Sequence, residues 1–137
     1  MNLRKSGKFW FVVVLVILLD QITKYFFKNV NFGIFRYVTN TGAAFGLFKG
    51  GGLFLSIIAV IVLVLVIYFY RKYPKLWVPL SFIFAGTLGN LLDRIIFGFV
   101  RDFIDFKIWP VFNFADSFNV IGIIILIWIL IKKEKLS

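Results

Sequence analysis

Long apolar runs alternate with short charged punctuation along this chain, and the alternation predicts most of its elements. Phe9–Leu19 carries no charge and continues through Asp20-Gln21-Ile22-Thr23-Lys24-Tyr25-Phe26-Phe27 with helical periodicity, which predicts a span over about 9–27 with polar residues in its far half. A charge-free run of this length also suits a cleavable leader, but no small-x-small cleavage site follows, so an uncleaved helix is expected. A second span is expected over 53–70, ended by Arg71-Lys72-Tyr73-Pro74-Lys75, where proline stops the helix. A third runs over about 76–97; its second half carries Ala85, Gly86, Thr87, Gly89 and Asn90 before Asp93-Arg94. The fourth covers about 116–131 and ends in Lys132-Lys133-Glu134-Lys135. Between the first two, Val30–Gly52 is rich in glycine, β-branched and aromatic residues, predicting short strands and turns that lie as amphipathic β structure on a membrane surface. Gly98–Ala115 reads as a connector rich in Phe and Asp.

Composition turns these runs into a class. Of 137 residues, 61% are hydrophobic and only 16% charged, where a soluble domain carries roughly a quarter charged residues. Too little polar surface is present to cover a water-soluble fold. The expectation is an all-α integral membrane protein, one domain over 1–137, with four transmembrane helices. Cysteine and histidine are absent. That excludes disulfides, Cys or His metal sites and Ser–His or Cys–His nucleophiles, and no metal or cofactor is expected.

The net charge of +10 adds direction. No basic stripe with interleaved aromatics stands in a polar context, so nucleic acid is not an expected partner. Arg4, Lys5 and Lys8, then Arg71, Lys72 and Lys75, then Lys132, Lys133 and Lys135 crowd three very short segments. The other basic residues spread over longer ones, which predicts that both termini face the cytoplasm and that the basic residues meet anionic headgroups. Glu134 then lies on the cytoplasmic side, and Asp20, Asp93, Asp102, Asp105 and Asp116 all fall near the outer boundary. A carboxylate in the apolar layer costs several kcal/mol unless paired or solvated. Three spans carrying that cost at one depth imply a shared polar site.

Asp102 and Asp116 are the candidate chemistry. Two carboxylates brought together at the edge of a low-dielectric layer do not both ionise, so one keeps a proton near neutral pH. An aspartic dyad uses that state to activate water. Each residue also has a structural reading: Asp116 as the N-cap of the fourth helix, and Asp102 or Asp105 as a solvated loop acid. Asp93-Arg94 suits a local ion pair, and Arg94 could equally hold Asp20 or a substrate carbonyl. Asn90 shares the Arg94 face. Gly86 and Gly89 allow close helix packing. Asp20 with Thr23 and Lys24 suits an anchor at the outer end, with Lys24 snorkelling to headgroups. Asn40-Thr41-Gly42 reads as a turn. A small proton-coupled transporter is the alternative function for intramembrane carboxylates.

Five segments stand in order: Asp20-Gln21-Ile22-Thr23-Lys24, Asn40-Thr41-Gly42-Ala43-Ala44-Phe45-Gly46, Gly86-Thr87-Leu88-Gly89-Asn90-Leu91-Leu92-Asp93-Arg94, Val100-Arg101-Asp102-Phe103-Ile104-Asp105-Phe106 and Phe112-Asn113-Phe114-Ala115-Asp116-Ser117-Phe118. They resemble the sequence blocks of the lipoprotein signal peptidases (signal peptidase II, the A8 aspartic peptidases). The resemblance implies a four-helix enzyme of the cell membrane with a small extracytoplasmic β-cradle and a further extracytoplasmic loop or helix. It implies cleavage of prolipoproteins just before a diacylglyceryl-modified cysteine, with a lipidated prolipoprotein and membrane lipids as partners; a monomer is expected. By the same resemblance the catalytic pair falls on Asp102 and Asp116. Asp20, Asn40, Gly89, Asn90, Arg94 and Asn113 then orient substrate, water or the pair. Arg101 departs from the family, which has an apolar residue there; a cation beside Asp102 is expected to lower its pKa or to touch headgroups.

Overall fold

The computed structural model describes residues 3–43 and 48–134. In chain order they form α1 (Leu3–Phe26), β1 (Asn31–Phe32), β2 (Phe35–Asn40), α2 (Gly52–Lys72), a 3-10 turn at Pro74–Leu76, α3 (Trp77–Phe97), β3 (Val100–Ile104) and α4 (Phe114–Glu134). Each of the four helices contains a segment long and apolar enough to cross a membrane. Their outward faces are apolar, with Phe11, Leu53, Val64 and Ile124 among the exposed side chains. In lipid no hydrophobic force drives helices together, so they associate by close packing and by polar contacts.

Helix α3 packs against each of the other three. Small residues let α4 come close. A Cβ on Gly86 would strike the Ala115 carbonyl and the Asn119 amide, and one on Gly122 would lie 2.9 Å from the Pro79 carbonyl. The bundle interior has two halves. Near the start of α1, Phe9, Val13, Val16, Val66, Tyr70, Leu80, Ile83, Phe84 and Ala85 form an apolar core, with the Phe9 ring stacked on Tyr70 at 4.2 Å. Towards the other end the interior turns polar: Asp20, Lys24, Asn90, Asp93, Arg101, Asp102 and Asn113 are all buried.

A three-stranded antiparallel sheet in the order β1-β2-β3 caps that polar end. The β1–β2 hairpin closes with Phe32 opposite Phe35, and Gly33 takes the left-handed φ of 62° that its tight turn requires. Strands β2 and β3 pair Val38 with Asp102, Thr39 with Arg101 and Asn40 with Val100, with an irregularity between Phe35 and Val38. The Phe27 ring at the end of α1 stacks on both Phe35, at 4.2 Å, and Phe103, at 4.8 Å, and so ties the sheet to the bundle.

The strands and turns expected between the first two spans are present. The expectation for 98–115 is corrected, because this stretch holds β3. All five β3 residues are buried, so no polar–apolar alternation marks the strand, and its partner lies far upstream in the chain. The rest of that stretch is a loop, held to β3 where Ile104 pairs with Phe112. Helix α4 starts two residues before the expected position. Residues 44–46 of the Asn40–Gly46 block lie outside the described residues.

Candidate functional site

The start of α4 builds the site. Asn113 caps the helix: its Oδ1 accepts from the Asp116 N–H at 2.9 Å, and Asp116 Oδ2 accepts from the Asn113 N–H at 3.1 Å. This is a reciprocal capping box. Asp116 is therefore not the N-cap; it sits at the third helical position, because Asn113 already fills the cap. The Asn113 side chain also reaches β3, where Nδ2 donates to Asp102 Oδ1 at 2.7 Å. One residue thus touches both carboxylates.

Two further carboxamides complete the set. Asn40, diagonal to Asp102 across the β2–β3 ladder, donates to Asp102 Oδ2 at 3.1 Å, and its own Oδ1 accepts from the Gly42 N–H at 2.9 Å. Asn90 on α3 donates to Asp116 Oδ1 at 2.8 Å. Both aspartates open on a cavity of about 320 Å³ whose lining includes Arg94 and the Trp109-Pro110-Val111 segment. The Arg94 Nε is buried and has no hydrogen-bond partner among the described residues. Asp102 is only 2% exposed. Burial first, and then the Asp116 charge, push its pKa from the ordinary 3.8 up to about 7, against the pull of the Asn40 and Asn113 donors.

Behind this wall lies a second layer of charge that the sequence did not disclose. Lys24 does not snorkel. It is 0% exposed and reaches Asp20 at 2.8 Å, Asp93 at 3.4 Å and the Asn90 Oδ1 at 3.0 Å. Asp93 does not pair with Arg94, since adjacent helix residues point in different directions. Its partner is Arg101, with Nη2 at 2.8 Å and Nε at 3.1 Å, and it also accepts from the Arg101 N–H at 2.9 Å. Successive strand residues face opposite sides. Arg101 accordingly points away from Asp102, into Asp93, Gln21 and the Phe97 ring, and neither of its expected roles holds. Asp20 accepts from the Ala115 N–H at 3.0 Å and so joins α1 to the first turn of α4. Gly89 makes room for it, because a Cβ there would lie 2.6 Å from Asp20 Oδ2.

Asp105 is neither a solvated acid nor part of the pair. It is paired with Lys107 at 2.8 Å and Arg36 at 3.3 Å, and the Lys107 hydrogen bonds hold its pKa below the usual carboxylate range. Thr23 turns back along its own helix, donating to the Leu19 and Asp20 backbone carbonyls at 2.7 and 3.0 Å, and does not join the Lys24 ion pairs. Asn119, one turn beyond Asp116, also lines the cavity. A polar residue inside the apolar run of the fourth span was the available signal for it. Among the described residues no three acidic side chains converge as a metal-binding set.

Four apolar helices with a two-carboxylate chamber define an integral membrane protein with an enzyme-like site at one end of its bundle. The fold is similar to two solved chains described as bacterial membrane enzyme structures obtained by the in meso method. One has a TM-score of 0.87 at 35% identity, covering 96% of this chain and 92% of that one. The other has a TM-score of 0.78 at 34% identity, covering 92% and 94%. The family model for Signal peptidase (SPase) II matches residues 12–132, and the chain belongs to that family. Among its relatives are the lipoprotein signal peptidases of Halothermothrix orenii, 44% identical over 93% of this chain and 98% of its own length, and of Thermodesulfovibrio yellowstonii, 43% identical over 88% and 92%. That of Staphylococcus aureus is 39% identical over 88% and 86%.

Proposed function

We propose that this chain is an aspartic endopeptidase that removes the signal peptide from diacylglyceryl-modified prolipoproteins by cleaving just before the lipidated cysteine. The observation that carries the reading is Asn113, which hydrogen-bonds both Asp102 and Asp116 on the wall of one cavity. In this reading the pair holds one proton near neutral pH, as a carboxyl group brought to about 7 allows. The ionised carboxylate takes a proton from water, and the water oxygen bonds to the scissile carbonyl carbon. The protonated carboxyl donates to the carbonyl oxygen, giving a neutral gem-diol. As the carbon–nitrogen bond breaks, the carboxyl that took the water proton passes it to the leaving nitrogen, a gem-diol hydroxyl gives its proton to the other carboxylate, and the pair returns to its starting state. No cofactor enters this scheme. Asn40, Asn90 and Asn113 keep the carboxylates in place, and Arg94 faces the substrate.

The basic residues at both termini and at 71–75 support a cytoplasmic position for those segments in the cell membrane, with the site near the extracytoplasmic surface. A substrate whose acyl chains stay in lipid reaches such a site laterally, and a single copy of the 137-residue chain suffices. The test is to incubate Asp102→Asn and Asp116→Asn variants with a lipidated prolipoprotein and weigh the released peptide by mass spectrometry. Both variants are expected to release none; wild-type rates in either overturn the proposal.

A further inference from the structure

Asn119 has no role in the scheme above, yet its side chain is held in place from α3. It lies three residues beyond Asp116, on the same face of α4 and further from the sheet-capped end. Its carboxamide sits over Gly86, where any Cβ would come within 2.8 Å of both Cγ and Oδ1. Its Oδ1 accepts from the Thr87 hydroxyl at 3.2 Å. With the oxygen fixed on α3, Nδ2 is the free end of the amide, and Asn119 lines the cavity. Among the described residues Nδ2 has no hydrogen-bond partner. The other cavity amides are committed: Asn40 donates to Asp102, and Asn90 to Asp116. Asn119 therefore offers the cavity a neutral donor, within the span rather than at its edge.

A donor at that depth has a specific complement. On the reading given under Proposed function, the substrate enters as a signal segment crossing the membrane as a helix, with its C-terminal end at the scissile bond. The last four carbonyls of a helix have no partner within the helix. In hydrocarbon an unsatisfied carbonyl is costly, so a donor placed at that depth favours the helix end that reaches it. We propose that Asn119 is a specificity-determining residue whose Nδ2 donates to one of the last free backbone carbonyls of the signal helix, on the N-terminal side of the cleaved bond. A backbone carbonyl is common to every signal sequence. The contact thus selects a helix end at the right depth rather than a particular side chain, and it sets the distance between that end and the Asp102/Asp116 pair.

The test uses the full chain in detergent micelles and a fluorescent lipidated signal peptide, measuring both its dissociation constant and its cleavage kinetics. Asn119→Leu removes the amide at similar volume, and Asn119→Ala removes it together with its volume; neither adds a charge beside the Asp102/Asp116 pair. In both, the dissociation constant and KM are expected to rise about tenfold, the scale of one buried hydrogen bond, with the loss in KM rather than kcat. The second arm replaces each of the last four carbonyl-bearing amides before the cysteine by an alkene isostere. One position is expected to weaken wild-type binding about tenfold and to cost nothing further in Asn119→Leu. Full additivity at all four positions overturns the proposal and leaves Asn119 as packing between α3 and α4. Unchanged binding in both variants overturns it as well. A wild-type enzyme that binds the peptide without cutting it overturns the peptidase reading alone, and the dissociation constants still decide on Asn119.

Discussion

The Lys24 ammonium donates to the Asn90 carboxamide oxygen at 3.0 Å, deep between α1 and α3, and this contact decides which way that amide faces. Asn113 Nδ2 meets the same oxygen at 3.0 Å, so the Asn90 Nδ2 is left pointing at Asp116. A lysine on the first span thereby orients the group that holds a carboxylate on the fourth.

Replacing Lys24 by Met should cost more than this one contact. Asp20 and Asp93 are both fully buried and would lose a shared counter-ion. Breaking a buried ion pair from one side costs about 3–5 kcal/mol. Thermal unfolding in detergent should show a large fall for Lys24→Met. The double variant with Asp20→Asn should recover part of it, because the amide oxygen still serves the Ala115 N–H. Equal melting temperatures for the single and double variants would remove the ion pair from the account.

Asn113 separates capping from site chemistry. In Asn113→Asp the side chain still accepts from the Asp116 N–H, so α4 keeps its cap. The donors to Asp102 and Asn90 are lost, and a third carboxylate joins the pair. Cleavage at neutral pH should drop by roughly a hundredfold or more, on the scale of losing a positioned catalytic group. Asn113→Ala should in addition lower stability by about 1 kcal/mol.

The raised Asp102 pKa makes a signed prediction for stability. In the unfolded chain this group titrates near 3.8, and in the folded protein near 7. Between these values the folded state holds a proton that the unfolded state has released. Stability contributed by this group therefore falls as pH rises through that window. The protein should melt at a higher temperature at about pH 5 than at about pH 8, and the Asp102→Asn variant should show a smaller difference. Cleavage itself should follow a bell-shaped profile whose limbs belong to the pair. A flat profile across acid and neutral pH would count against a shared proton.

Glycine substitutions should split sharply by position. A Cβ at Gly89 would lie 2.6 Å from Asp20 Oδ2, an atom already fixed by Lys24 and Gln21. Gly89→Ala should destabilise by about 1–3 kcal/mol and disturb the site. At Gly7, inside α1, the same change meets nothing within 4 Å. Gly7→Ala should be neutral or stabilise by up to about 1 kcal/mol. Comparing the two melting temperatures checks the packing argument.

Much of the site was legible from residue type and order. Carboxylates and asparagines that interrupt apolar runs are costly in lipid, so Asp20, Asn90, Asp93 and Asp116 announce a polar chamber by being there at all. The partners were not legible. Asp93 next to Arg94 suggests a local pair, but the strand geometry at β3 sends Arg101 to it instead. Lys24 near a helix end suggests a headgroup contact, but two carboxylates from α1 and α3 bury it. Strand β3 carries no period that could reveal it, since both of its faces are covered.

The order of residue types along the chain by itself determined four spans, the strands of the glycine-rich segment between the first two, and the end of the molecule at which the aspartates gather. Those features depend on the cost of placing each residue in lipid or at its edge, which is a property of residues taken in order. Tertiary structure alone decided that β2 pairs with β3, that Asn113 spans Asp102 and Asp116, and that Lys24 turns inward to orient Asn90. These contacts join residues remote in sequence, and which donor meets which acceptor follows from where α3 and the sheet bring the backbone together.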